Sequence, residues 1–122
     1  MEKDWIGVDL DGTLAVYNEW EGLCTIGEPV PLMVKRVKKW LEEGKRVKIF
    51  TARVGPQDLS NGLPEIEYIA VRTAIEDWCF VHLGQKLEIT NAKDFLLTEL
   101  WDDRCVPVER NTGRKLLAGI RR

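Results

Sequence analysis

Trp5-Ile6-Gly7-Val8-Asp9-Leu10-Asp11-Gly12-Thr13-Leu14 decides the fold. Its first four residues are a short apolar run, the pattern of a buried strand, and the polar Asp9-Leu10-Asp11-Gly12-Thr13 ends that strand. An apolar strand that breaks into two carboxylates and a glycine marks the rim of a sheet.

Outward from it, residues 15–28 carry Asn18, Gly22 and Gly27 among aromatics, as in a loop or small hairpin. Pro29 and Pro31 open a helix, because proline is tolerated in a first turn. Val30, Met33, Val34, Val37, Trp40 and Leu41 recur on one face of it, and Gly44 supplies the stop. Val47–Phe50 reads as a second buried strand ending at Thr51-Ala52-Arg53, followed by a loop over 54–64. Ile66, Ile69, Ala70, Ala74, Trp78 and Val81 predict a helix over 65–83, with Gly84 after it. Strands are expected at 87–90 and 96–101, the latter ending in Asp102-Asp103. A last edge strand is expected over 106–109, where Pro107 is tolerable.

Strands alternating with helices of this length predict a single α/β domain over 1–122 with a mostly parallel sheet and right-handed crossovers. Ligands of such sheets gather beyond the carboxyl ends of the strands. There the sequence sets Asp9 and Asp11, then Thr51, then Asn91 and Lys93, then Asp102 and Asp103. Four strand ends are expected to converge on one site.

Composition narrows the chemistry. A net charge of −2 argues against a protein that lives mainly on nucleic-acid phosphates. The basic cluster from Lys35 to Lys48 reads as a solvated helix face. Three cysteines without a CxxC spacing point to reduced thiols and a cytoplasmic location. The single histidine, His82, ends an apolar helix, so histidine-based machinery is not expected. No signal peptide and no membrane span is read from the sequence.

A phosphate monoester at that rim requires a nucleophile, a proton donor and positive charge. Asp9 can attack phosphorus, and Asp11 can protonate the leaving oxygen and later activate water. Mg²⁺ would offset the repulsion among Asp9, Asp102, Asp103 and the phosphate, since a hard cation takes oxygen ligands. Lys93 would add fixed positive charge, and the Thr51 hydroxyl would donate to a phosphoryl oxygen. Gly12 permits close backbone approach, and the amides of 10–13 are expected to form an anion-binding nest.

These residues resemble the haloacid dehalogenase-like superfamily, in its phosphatase branch. Asp9-Leu10-Asp11-Gly12-Thr13-Leu14 is similar to its first motif and Val47-Lys48-Ile49-Phe50-Thr51 to its second; Lys93 and Asp102-Asp103 resemble the third and fourth. The resemblance implies a Rossmann-like three-layer fold, an aspartyl-phosphate on Asp9, and Mg²⁺ held by Asp9, the Asp11 carbonyl and the acidic pair. Gly12, Thr13, Thr51, Ala52 and Arg53 would bind substrate. Two departures stand out: no room for a helix between Lys93 and the next strand, and no cap domain, residues 15–28 sufficing only for a small flap. Capless relatives often act on large substrates or close their sites by forming homo-oligomers. The expected substrate is a phosphorylated metabolite, a nucleotide or a polynucleotide end. The rival readings are a signalling receiver domain, whose acids and lysine come in a different chain order, and a non-catalytic phosphate-binding module of the same fold.

Overall fold

In the computed structural model, which describes residues 2–55 and 65–116, four strands form one parallel sheet. The elements run β1 (Trp5–Asp9), α1 (Pro31–Glu42), β2 (Arg46–Phe50), α2 (Glu65–Leu83), β3 (Glu88–Thr90) and β4 (Leu97–Trp101). The sheet order is β3-β2-β1-β4, with Asp9 level with Phe50 and Val8 level with Trp101. This is the Rossmann-like α/β arrangement expected from the sequence, with β1 at the point where the strand order reverses.

Alternation along the strands sorts the side chains. Ile6 and Val8 of β1, Val47 and Ile49 of β2 and Ile89 of β3 join Met33 and Val37 of α1 and Val71, Ile75 and Cys79 of α2 in one core. Both helices therefore cover the same face of the sheet. Val30, Val34, Trp40 and Leu41 pack at its edge as the spacing predicts. α1 starts on Pro31 without a side-chain cap and gives way to Gly44 at φ +80. Burial pushes the Cys79 thiol up to about 12, so it remains an inert core thiol.

α2 lies where expected but turns to the core a side that shares only Trp78 with the expected one. Tyr68, Val71, Ile75, Trp78, Cys79 and Leu83 are buried, whereas Ile66, Ile69 and Val81 are exposed. The helix is apolar on more than one side, and periodicity alone cannot choose between such sides. His82 lies against Trp78, ring centroids 4.6 Å apart, in a packing contact.

The opposite face of the sheet bears no helix among the described residues. Trp5, Gly7 and Lys48 lie there, crossed by the thin layer of residues 91–96 that links β3 to β4. Asp94 accepts from Trp5 Nε1 at 2.8 Å and lies 3.8 Å from Lys48 Nζ, and Leu96 O accepts from Trp5 N. The missing helix before β4 is thus a real departure. Residues 15–28 form an irregular flap held by the Ala15–Pro29 bridge and the Val16 N–H to Glu28 O bond.

The expected edge strand over 106–109 does not form. Val108 instead makes one antiparallel bridge with Lys115 in a short turn structure, closed where Glu109 N–H donates to Arg114 O. Pro107 lacks the donor that a ladder on β4 would use. No described helix is long and apolar enough to cross a membrane.

Candidate active site

β1 and β4 are paired neighbours, so the residues that leave their carboxyl ends emerge side by side. Asp9 ends β1, and Asp102 and Asp103 follow β4. One carboxylate oxygen from each of the three lies within 4.8 Å of the others. The Thr13 hydroxyl sits among them, 3.3 Å from Asp9 Oδ2 and 3.4 Å from Asp103 Oδ1, and accepts from Asp103 N at 3.0 Å. Its single proton satisfies one carboxylate at a time.

Such crowding has an electrostatic signature. Asp9 is pushed up to about 7, first by burial, then by the negative charge of Asp102 and by hydrogen bonding and charge from Asp103; Thr13 pulls slightly the other way. Three acids without a cation among them are the donor set that a hard divalent ion such as Mg²⁺ takes. Gly12, at φ +91, is needed twice over. The left-handed backbone favours glycine, and a Cβ there would collide with the Asp103 carboxylate, its Cγ being 2.9 Å away.

Asp11 is held apart from this group. Arg53 Nε donates to Asp11 Oδ2 and Arg53 Nη2 to Oδ1, both at 2.8 Å, a two-pronged pair. Arg53 Nη1 donates to the carbonyls of Gly22 at 2.9 Å and Leu23 at 2.6 Å, and the guanidinium lies 5.0 Å from the Trp20 ring centroid. With 5% of its surface exposed, Arg53 is a strut between β2, the Asp11 loop and the flap. Four of its five N–H donors are held in this way, so the residue expected to bind substrate serves first as a strut, though it also lines the cleft.

Thr51 is buried, and its Oγ1 accepts from Arg53 N at 3.1 Å, which leaves the hydroxyl proton free to donate. Ala52 is exposed at the same rim. The expected nest forms only in part. Gly12 N–H donates to Ala15 O and Thr13 N–H points to Leu10 O, so those amides are used inside the loop.

Lys93 is not brought to this site. It is exposed, and its neighbour Asp94 already touches Trp5, at the other end of β1 from Asp9. Six residues, 91–96, must pass from one edge of the sheet to the other and from its carboxyl to its amino end. A turn in which Leu97 N–H donates to Asp94 O ends that crossing at the amino end of the sheet, and Lys93 does not line the cleft at the carboxyl end.

Together these residues frame a cleft of about 400 Å³. One wall is acidic, with Asp9, Asp102 and Asp103; another is apolar, with Tyr17, Trp20, Leu23 and Phe50; Thr51, Ala52, Arg53 and Arg104 complete it. Leu23 and Phe50 were not expected to line the site. Arg104 directly follows the acidic pair, and the run Asp102-Asp103-Arg104, with Thr51-Ala52-Arg53, also resembles that of phosphatase modules that clear polynucleotide ends.

No family model matches the chain, and no curated protein matches it either. Among solved structures it is similar to one described as the structure of a conserved protein coded by a locus from Bacteroides thetaiotaomicron. The identity is 23% over 86% of this chain and 79% of that one, with a TM-score of 0.55. At that identity the likeness is one of fold, and it agrees with the parallel sheet described above.

Proposed function

We propose that this protein is a Mg²⁺-dependent phosphomonoester hydrolase acting through an aspartyl-phosphate on Asp9. The supporting observation is the uncompensated trio of Asp9, Asp102 and Asp103 at the β1/β4 strand ends, where open α/β sheets bind ligands. The motif resemblance to the haloacid dehalogenase-like superfamily points the same way.

In this reading Asp9, Asp102 and Asp103 would hold the ion, whose charge would offset the acidic wall and the phosphate. An Asp9 oxygen attacks phosphorus as the bond to the leaving oxygen breaks. Asp11 gives that oxygen its proton, then takes one from water as water displaces Asp9 from phosphorus. Asp11 must loosen from Arg53 to do so, while the Gly22 and Leu23 carbonyls keep the guanidinium in place. The substrate is a phosphorylated metabolite, a nucleotide or a polynucleotide end, approached along Tyr17 and Trp20. Three free thiols go with a cytoplasmic setting, and the exposed Ile66, Ile69 and Phe80 along α2 go with a homo-oligomer.

The receiver reading loses support from the strand order. A flavodoxin-like receiver sets β1 between β2 and β3, whereas here β1 lies between β2 and β4. One observation favours the other alternative, a phosphate-binding module without turnover: both Asp11 oxygens are occupied by Arg53.

Turnover of p-nitrophenyl phosphate decides between them. The expected result is Mg²⁺-dependent hydrolysis that falls on the order of 10³-fold or more in Asp9→Asn. Turnover that survives Asp9→Asn, or none on a panel of mononucleotides, sugar phosphates and 3′-phosphorylated oligonucleotides, would sink the hydrolase reading.

A further inference from the structure

We propose that the phosphoryl group in this cleft is held by the guanidinium of Arg104, which takes the place expected of Lys93. The proposal rests on the phosphate-site reading above and says which cation serves it.

Any phosphate beside three carboxylates needs positive charge from the protein as well as from an ion. Among the described residues, the cleft-lining ones that carry it are Arg53 and Arg104. Four of the five Arg53 N–H donors are engaged by Asp11, Gly22 and Leu23, which leaves it little to offer a phosphate. Lys93 stands outside the lining. Residues 56–64 contain no lysine or arginine at all.

Arg104 meets the requirement on three counts. It lines the cleft, it is exposed, and its side chain makes no ion pair or hydrogen bond among the described residues. Its backbone is fixed where it matters, because Arg104 N–H donates to Asp102 Oδ1 at 2.8 Å. One turn after β4 thus supplies both the acidic pair and the cation, with no connecting helix required. The fork geometry of arginine matches two phosphoryl oxygens at once, which a lysine cannot do.

The test uses inorganic phosphate, which no hydrolase step consumes. Titrated calorimetrically into the wild-type protein with Mg²⁺, phosphate is expected to bind, at least about tenfold more weakly in Arg104→Ala and to an intermediate degree in Arg104→Lys. Lys93→Ala should stay within about twofold of wild type. In parallel, kcat/KM for p-nitrophenyl phosphate should fall about 10²-fold in Arg104→Ala. Arg104 is exposed and its side chain is unpaired among the described residues, so the thermal midpoint serves as a check that folding is unchanged. Phosphate binding unaffected by Arg104→Ala, absent in the wild type, or lost instead in Lys93→Ala would overturn the assignment. Arg104-dependent binding without any turnover would leave Arg104 in place and remove the hydrolase reading instead.

Discussion

The two ends of the parallel sheet treat their charged groups differently. At the amino end Arg46, Lys48, Glu88 and Asp94 all have partners. Arg46 donates to both oxygens of Glu88 at 2.7 and 2.9 Å, and to Glu2 at 3.0 Å. Asp94 accepts from Trp5 Nε1 and Leu96 N, with Lys48 close by. Glu88 is held below the usual carboxylate range chiefly by its hydrogen bonds from Arg46, and Asp94 chiefly by its bond from Trp5. At the carboxyl end Asp9, Asp102 and Asp103 face one another without a cation among the described residues, and Asp9 rises to about 7. Matched charge fixes the fold, while unmatched charge is tolerated where a ligand is to supply the match.

Arg53 belongs to the carboxyl end but is built like the amino end, and removing it should have the largest effect on the fold. Arg53→Met would leave Asp11 without its partner and free the flap carbonyls of Gly22 and Leu23. Breaking a largely buried pair on one side costs about 3 kcal/mol, visible as a lower urea midpoint. A midpoint equal to wild type would show that the strut between β2 and the flap contributes nothing to stability.

Much of this was legible in the sequence, for identifiable reasons. The strand ends at Asp9 and Asp102 could be read because an apolar run that stops at a carboxylate is a local signal. The same logic failed at Lys93, since the path of residues 91–96 depends on which strands lie at the edges of the sheet, and no local pattern encodes that order. The role of Arg53 was hidden because its partners Asp11 and Leu23 lie 42 and 30 residues away in the chain. On α2 apolar residues occupy several sides, so the spacing of Ile66, Ile69 and Val81 pointed to a side the core does not use.

Metal and pH sharpen the contrast between the ends. Asp9 binds its proton more tightly when folded than at its ordinary value of 3.8. In the metal-free protein its contribution to stability is therefore complete at acid pH and is lost as pH rises towards about 7. Glu88 and Asp94 are lowered, so their contributions persist at neutral pH and fade only as pH falls below ordinary carboxylate values. Between about pH 5 and pH 8 only the carboxyl end should respond. Mg²⁺ requires Asp9 deprotonated, so its stabilisation, about 2.7 kcal/mol at a hundredfold excess over Kd, should be larger at about pH 8 than at about pH 5.5. A thermal-shift series with and without Mg²⁺ measures this, and Asp9→Asn should flatten it. Equal shifts at both pH values would mean that the ion, if bound, does not compete with the Asp9 proton.

The smallest effect is expected at Arg46, and it completes the comparison. Arg46 and Arg53 make the same two-pronged contact with a carboxylate, at nearly the same distances. Geometry alone would rate them equal. Burial separates them: the Arg53 side chain is 4% exposed and its partner 23%, against 19% and 51% for Arg46 and Glu88. Water can solvate Glu88 once Arg46 is gone, so most of the lost attraction is replaced. Arg46→Ala should therefore move the urea midpoint far less than Arg53→Met, and its effect should shrink further with added salt. Turnover and phosphate binding should not change, because Arg46 lies at the start of β2 and the cleft lies at its end. Equal loss of stability in the two arginine variants would refute the idea that burial, and not bond geometry, distinguishes the ends of this sheet.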